Sequence, residues 1–266
     1  MGPPAPATVT SYRQQVKLHI GPKLGHIELT KLTPEHIERY MNEKLVEKNK
    51  DGSTRLSARV VKYHHSILSM ALKQAERRGH VPRNVATRVD PPSAVQREVA
   101  PLTQEQAHGL LKALKGERLG GLFTVALALG LRRGEALGLR WQDIDFEVRT
   151  LRVCQALARV GREIVIAEPK TASSRRILPL PETLAASLRE RRKQQLEERM
   201  KAGDKWVESG LVFTSTLGES IDPRTVKRHL DRILKDAGLP HCRVHDLRHF
   251  CASLLLAQGV TAQGCV

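Results

Sequence analysis

The stretch "VDPPSAVQREVAPL", Val89 to Leu102, carries three prolines and no helical period, and it separates two runs that do have one. Proline removes a backbone donor and biases its predecessor away from helix, so no continuous helical core crosses this stretch. The chain is therefore expected to fold as two bodies. Residues 1–92 form a helical domain, 93–102 a linker, and 103–266 a second domain.

The first part reads as helices. "LTPEHIERYMNEKLVEK" offers Thr33 as N-cap and Pro34 at the first helical position. "LSARVVKYHHSILSMALKQAERRGH" is a longer helix that Ser57 can cap and Gly79 can end. Its apolar residues Val60, Val61, Ile67, Leu68, Ala71, Leu72 and Ala75 lie mostly on one face. Arg59 and Lys62 stand among them, as contacts to a charged partner or as a solvated face.

The second part begins with Thr103 and Gln106 in capping-box spacing. "LGGLFTVALALGL" reads as a buried helix that Gly130 interrupts. It falls short of the ~20 residues of a membrane span. From Asp143 the period changes. "RTLRVCQALARVG", "REIVIAEPK" and "SRRILPLP" are short runs that suggest one small antiparallel sheet. Pro181 and Asp222–Pro223 then open two further helices, and a last one begins near His245. The expected class is mainly α with a small antiparallel β-sheet (α+β).

Composition narrows the partner. Among 266 residues, 44 Lys and Arg against 28 Asp and Glu give a net charge of +16. Such a field attracts polyanions, with nucleic acid first. The four cysteines have no paired spacing, which fits a reducing, cytoplasmic setting. The start "MGPPAPATVTSYR" has no apolar signal stretch, and Pro6 breaks the myristoylation pattern.

Three places could do chemistry. In "ALGLRRGEALGLRW", Arg132 sits at a helix break with Glu135 one turn on. In "AEPKTASSRRILPLP", Lys170 sits in a turn between two expected strands. In "VHDLRH", His245 and Arg248 stand one turn apart. Taken singly, these are a surface ion pair, a solvated lysine and a charged helix face. Cys242, His245 and His249 also have helical metal-ligand spacing, and "HDLRH" resembles a zinc helix with Asp for Glu. No second carboxylate or cysteine pair completes such a set nearby, so no metal is expected.

Together the three places resemble the tyrosine recombinases, the phage-type integrases. "GLRRGEALGLRWQDID" is similar to the first arginine box of that family, "EPKTASSRRILPLP" to its lysine hairpin and "HDLRHFCASLLLAQGV" to its His-x-x-Arg box. "ATVTSYRQQVKLHIGPKLGHIELTKLTPEHI" is similar to the start of its core-binding domain. The resemblance implies DNA breaking and rejoining by transesterification, without metal, ATP or other cofactor. It implies an all-helical core-binding domain ahead of a catalytic one, and a homotetramer on paired DNA sites.

It also implies roles. Arg132 and Arg248 clamp the non-bridging phosphate oxygens, which suits a planar, always-charged group. His245 bonds the phosphate and assists proton transfer, Lys170 protonates the leaving 5′-oxygen, and Glu135 orients Arg132. The family's nucleophilic tyrosine and the Leu-Gly-His box before it find no match. Tyr12, Tyr40 and Tyr63 all lie in the amino-terminal part. The chain is therefore expected to end short of the nucleophile and to bind DNA without cutting it. The alternative is a non-catalytic protein that occupies recombination sites. The start lies almost at the core-binding helices, so the expectation is that the arm-binding domain many family members carry was either lost or never present.

Overall fold

The computed structural model describes residues 6–93, 102–161, 163–167 and 175–257. The chain divides into two compact units between Glu98 and Val99. Each unit has its own apolar core. Among the described residues, no helix is long and apolar enough to cross a membrane.

Unit 1 is helical. Helix α1 (Pro6–Gln15) runs through a π-helical turn, Val16–Ile20, into α2 (Gly21–Leu24). The Gly21 amide reaches back to the Val16 carbonyl. Pro22 follows and has no N–H to give, which accounts for the widened turn at this point. Helix α3 (Pro34–Val46) starts as expected at Thr33, whose backbone N–H donates to His36 Nδ1 at 3.2 Å. Helix α4 (Ala58–Arg77) has Ser57 in the capping position, but the serine side chain makes no capping bond. It stops where Gly79 takes φ +72°, a left-handed conformation that costs glycine nothing. Ile37, Met41, Val61, Ile67 and Leu72 fill the core, whereas Ala71, grouped with the apolar face by its sequence spacing, is exposed.

A polar network is built into that core. His64 on α4 is fully buried. Its Nδ1 lies 2.9 Å from Tyr40 Oη, and its Nε2 lies 2.8 Å from Gln15 Oε1. His19 stacks on it with ring centroids 5.2 Å apart. The buried Lys44 is held by Glu47 at 2.6 Å. Both ring nitrogens of His64 are therefore satisfied, as a buried imidazole requires.

Unit 2 is built around one apolar helix. Helix α5 (Gln104–Ala113) opens with the expected capping box, Thr103 N–H to Gln106 Oε1 at 3.0 Å and Gln106 N–H to Thr103 Oγ1 at 3.2 Å. Helix α6 (Gly120–Leu129) buries Leu122, Phe123, Val125, Ala126 and Leu127. It packs against the short α7 (Arg133–Leu137) and the later helices α8 (Glu182–Ala202) and α10 (Val244–Ala257). Helix α9 (Pro223–Asp236) is capped by Asp222, which accepts from the Arg224 amide at 2.8 Å, and Gly238 follows it with φ +64°.

The expected single sheet is two. Strands β1 (Ile144–Asp145), β2 (Thr150–Val153) and β5 (Arg176–Pro179) form one antiparallel sheet in the order β1-β2-β5. Strands β3 (Ala156–Val160) and β4 (Glu163–Ala167) pair separately as a hairpin. The run from Arg149 to Gly161, expected as one strand, breaks at Cys154 and Gln155. There Gln155 Nε2 donates to the Gly138 carbonyl at 2.9 Å, which ties the chain to the end of α7. Strand β3 then crosses α7 at a distance only glycine permits. A Cβ on Gly134 would stand 2.7 Å from the Leu157 carbonyl oxygen, and one on Gly138 would stand 3.0 Å from that of Gln155.

The interior of unit 2 holds a buried charge cluster around Arg191. Arg191 on α8 is 2% exposed and donates to the Val212 carbonyl at 3.1 Å and to Glu198 at 3.0 Å. Arg118 joins Glu198 from outside at 2.6 Å. Trp141 Nε1 donates to Gln195 Oε1 at 2.6 Å. These bonds fix the 211–214 segment and the Trp141 turn on α8.

Burial, then the charges of His19 and Lys44, push the His64 imidazole from 6.5 down to about 4. The unfolded chain takes up this proton first, so acidification removes stability. The His64 contribution is complete above about pH 6.5 and is lost by about pH 4, a loss of about 3 kcal/mol. Urea unfolding of unit 1 across this range should show the loss, and H64Q should flatten it. An unchanged slope in H64Q would refute the assignment.

Candidate functional site

The site begins where α6 stops. Gly130 adopts φ +60° and ψ +30°, so the chain turns sharply there and Leu131 is buried behind it. Arg132 follows, as the residue that caps α7. The turn exposes the Gly130 carbonyl toward α10, and Arg248 Nη1 donates to it at 2.6 Å across 118 residues of sequence. One turn further along α10, Cys251 is buried, and its thiol donates to the Ala128 carbonyl at 3.5 Å. A Cβ on Gly130 would lie 3.5 Å from the Cys251 sulfur and 3.8 Å from Arg248 Cγ. The α6–α10 contact thus closes over this glycine.

Glu135 sits at the centre. Its Oε2 accepts from the Arg132 backbone N–H at 3.0 Å and from Arg176 Nη2 at 2.9 Å. Its Oε1 accepts from Arg132 Nη1 at 2.7 Å. Exposure ranks the three side chains: 54% for Arg132, 12% for Arg176 and 7% for Glu135. Arg132 faces solvent on a floor made by the other two. Burial pushes the Glu135 carboxyl up, but the bonds from Arg176 and Arg132 outweigh it and hold the group below its ordinary value. Arg248 is lowered by its own burial, then by Arg132, and Glu135 opposes this. An arginine starts high enough to stay protonated at neutral pH regardless. Two guanidinium groups therefore share one carboxylate with a third nearby on a backbone carbonyl, and the surplus positive charge suits an anion.

The expected residues are placed as follows. Arg132, Glu135 and Arg248 come together. His245 lies on the first turn of α10, one turn before Arg248 and on the same side of the helix, and it is exposed. Lys170 lies outside the described residues, between the ends of β4 and β5. Arg59 and Lys62 are exposed on α4 of unit 1. Arg176 is the residue that sequence spacing passed over. Its signal was alternation, because Arg176 and Leu178 are the less exposed positions of β5 while Ile177 and Pro179 are exposed.

The Glu135 pair is not the surface ion pair that its i, i+3 spacing suggests, because its carboxylate is buried. Asp246 likewise has a structural partner. It is 2% exposed and caps α10 by accepting from the Arg243 amide at 2.8 Å, with the Arg243 guanidinium across both oxygens. Cys242 is buried, and burial followed by the charges of Asp246 and Asp231 pushes its thiol up to about 11. Among the described residues, no group of three or more His, Cys, Asp or Glu is placed to hold a metal ion. The side chain of His249 is outside that description.

Residues 101–264 match the phage integrase family, and residues 5–45 match the phage integrase N-terminal SAM-like domain. The chain belongs to the phage integrase family. Among curated relatives, it is 33% identical over 96% of its length to a XerC-like tyrosine recombinase of Caldanaerobacter subterraneus subsp. tengcongensis. It is 32% identical over 95% of its length to an integrase of Streptomyces ambofaciens. It spans 68% and 65% of those two proteins. In fold it is similar to the Tn1549 transposon integrase in complex with a circular intermediate DNA, with a TM-score of 0.81, 19% identity, and coverage of 99% of this chain and 85% of that one. It is also similar to a lambda integrase tetramer bound to a Holliday junction, with a TM-score of 0.69, 20% identity, and coverage of 94% and 67%. The family is thus that of the sequence resemblance, and the mainly helical fold with small antiparallel sheets is that of its solved members.

Because Glu135 holds the largely covered Arg176, its removal should be costly. E135A leaves a guanidinium without its carboxylate and is expected to destabilise unit 2 by about 3 kcal/mol. Chemical unfolding of E135A against wild type measures this, and a change within error would show that Arg176 finds solvent instead.

Proposed function

We propose that this chain is a site-specific DNA recombinase scaffold that grips duplex DNA and seats one backbone phosphate at Arg132 and Arg248. The observation that carries this reading is the placing of Arg132, held with Arg176 on the carboxylate of Glu135, near Arg248, held on the Gly130 carbonyl. A phosphoryl group in transfer spreads negative charge over its non-bridging oxygens. Fixed guanidinium groups aimed at them lower the barrier without needing to reorganise. Arg132 and Arg248 fill that role, and Glu135 orients the first. His245 bonds the phosphate and relays the proton of the nucleophile, a role that suits an imidazole.

In the reaction this site serves, a tyrosine oxygen attacks phosphorus and the bond to the 5′-oxygen breaks. Lys170 gives that oxygen its proton, and the 3′-phosphotyrosyl bond conserves the energy for rejoining. No metal or other cofactor enters the step. Residues 1–92 act as the core-binding domain, with Arg59 and Lys62 toward DNA, and residues 103–266 carry the chemistry. The working assembly is a tetramer on paired sites in the bacterial cytoplasm, on the nucleoid when bound.

A second reading concerns the polypeptide of these 266 residues. Its three tyrosines are occupied in unit 1. Tyr40 is 2% exposed and bonded to His64 at 2.9 Å, Tyr63 lies 3.3 Å from Ser11, and the Tyr12 hydroxyl meets the sulfur of Met70. This favours a protein that occupies recombination sites and leaves the DNA uncut.

Two measurements test these readings. Affinity for duplex DNA should fall by about 10³ or more between about 50 and 200 mM salt if six or more phosphates are neutralised. A flat salt profile would remove the DNA-binding reading. Incubation with nicked suicide substrates should leave no covalent protein–DNA adduct, and a stable adduct formed by these 266 residues would overturn the second reading.

A further inference from the structure

Arg176 contributes the third guanidinium of the cluster, yet it is a poor candidate for a phosphate ligand. Its side chain is 12% exposed against 54% for Arg132. Its backbone is fixed in β5 opposite Val153 of β2, so it cannot swing outward without breaking the sheet edge. Its Nη2 is 2.9 Å from Glu135 Oε2, the oxygen that also takes the Arg132 amide at 3.0 Å. Only Oε1 is left to Arg132, through Nη1 at 2.7 Å.

This division of the carboxylate has a directional effect. A buried carboxylate needs its charge met by close donors. With Arg176 meeting part of that need from behind, Arg132 is tethered by one nitrogen, and the rest of its guanidinium faces solvent. Without Arg176, the carboxylate would draw Arg132 inward onto both oxygens or take up a proton. Either outcome loses the orientation.

We propose that Arg176 is a positioning residue that aims Arg132 at the DNA phosphate through Glu135. The inference deepens the function proposed above and rests on Arg132 being a phosphate ligand. Arg176 is also the first residue of β5, the strand that follows the Lys170 segment. The same ion pair therefore ties the start of β5 to the first turn of α7.

A mutant cycle read by DNA binding tests this. The full 266-residue chain is titrated with a short mixed-sequence duplex at several salt concentrations, and melting temperature is recorded for each variant. R132A should weaken binding and reduce the salt slope by about 1. R176Q should produce the same reduction, the R132A/R176Q double variant should bind no worse than R132A alone, and R176K should recover most of the loss. E135Q, nearly isosteric, should mimic R176Q and serves if R176Q folds poorly. Additive losses in the double variant would make Arg176 a ligand itself and overturn the proposal. A lower melting temperature with an unchanged slope, in R176Q or E135Q, would also overturn it by leaving a structural role only. A wild-type chain with no salt-dependent binding would instead refute the function reading on which the proposal rests.

Discussion

A carboxylate in a protein interior must be met by charge, and at Glu135 that need organises the surrounding structure. Two arginines answer it, one from the start of α7 and one from the start of β5. The pair of bonds joins the start of a helix to the start of a strand. The bonds also keep Glu135 ionised despite its burial, so the guanidinium groups sit beside a true anion rather than a neutral acid. Arg248, the third, is held differently, by a backbone carbonyl. A carbonyl dipole stabilises a guanidinium without cancelling its charge. The cluster is therefore neutralised once and positive overall.

The scaffold that holds this cluster rests on close approach more than on size. Helix α7 is short and would be marginal alone. It is pressed onto β3 because Gly134 and Gly138 lack side chains, and it is pinned by the Gln155 amide. Behind it, α6 supplies an apolar wall against α8 and α10. The buried Arg191–Glu198 pair fixes α8 to the 211–214 segment. Unit 1 uses a different device, a neutral imidazole between Tyr40 and Gln15, to specify how α1, α3 and α4 meet.

Much of this is legible in the amino-acid sequence. The Thr33 and Thr103 caps, the mostly apolar α6 and the stop at Gly130 follow from local propensity, and local propensity is what sequence spacing reports. Arg132, Glu135 and Arg248 were legible through their boxes. What was not legible depends on contacts between distant residues. Spacing cannot tell a surface Arg–Glu pair from a buried one, because the difference lies in β5 covering Glu135. The same holds for Arg176, whose role exists only once β5 is beside α7. The single expected sheet became two because Gln155 finds a partner on α7, a contact between separate elements. Ser57 shows the converse: it occupies the right position, yet its hydroxyl makes no capping bond.

The Gly130 carbonyl bears on how the site tolerates change. A backbone oxygen is present whatever residue is encoded, so no substitution can delete the Arg248 acceptor. What substitution alters is the direction in which that oxygen points, because the left-handed turn disfavours residues with a Cβ. Position 130 thus carries information about the site with no functional group of its own. In a survey of random variants it would behave as strictly as the arginines it serves, and chemistry alone would never single it out.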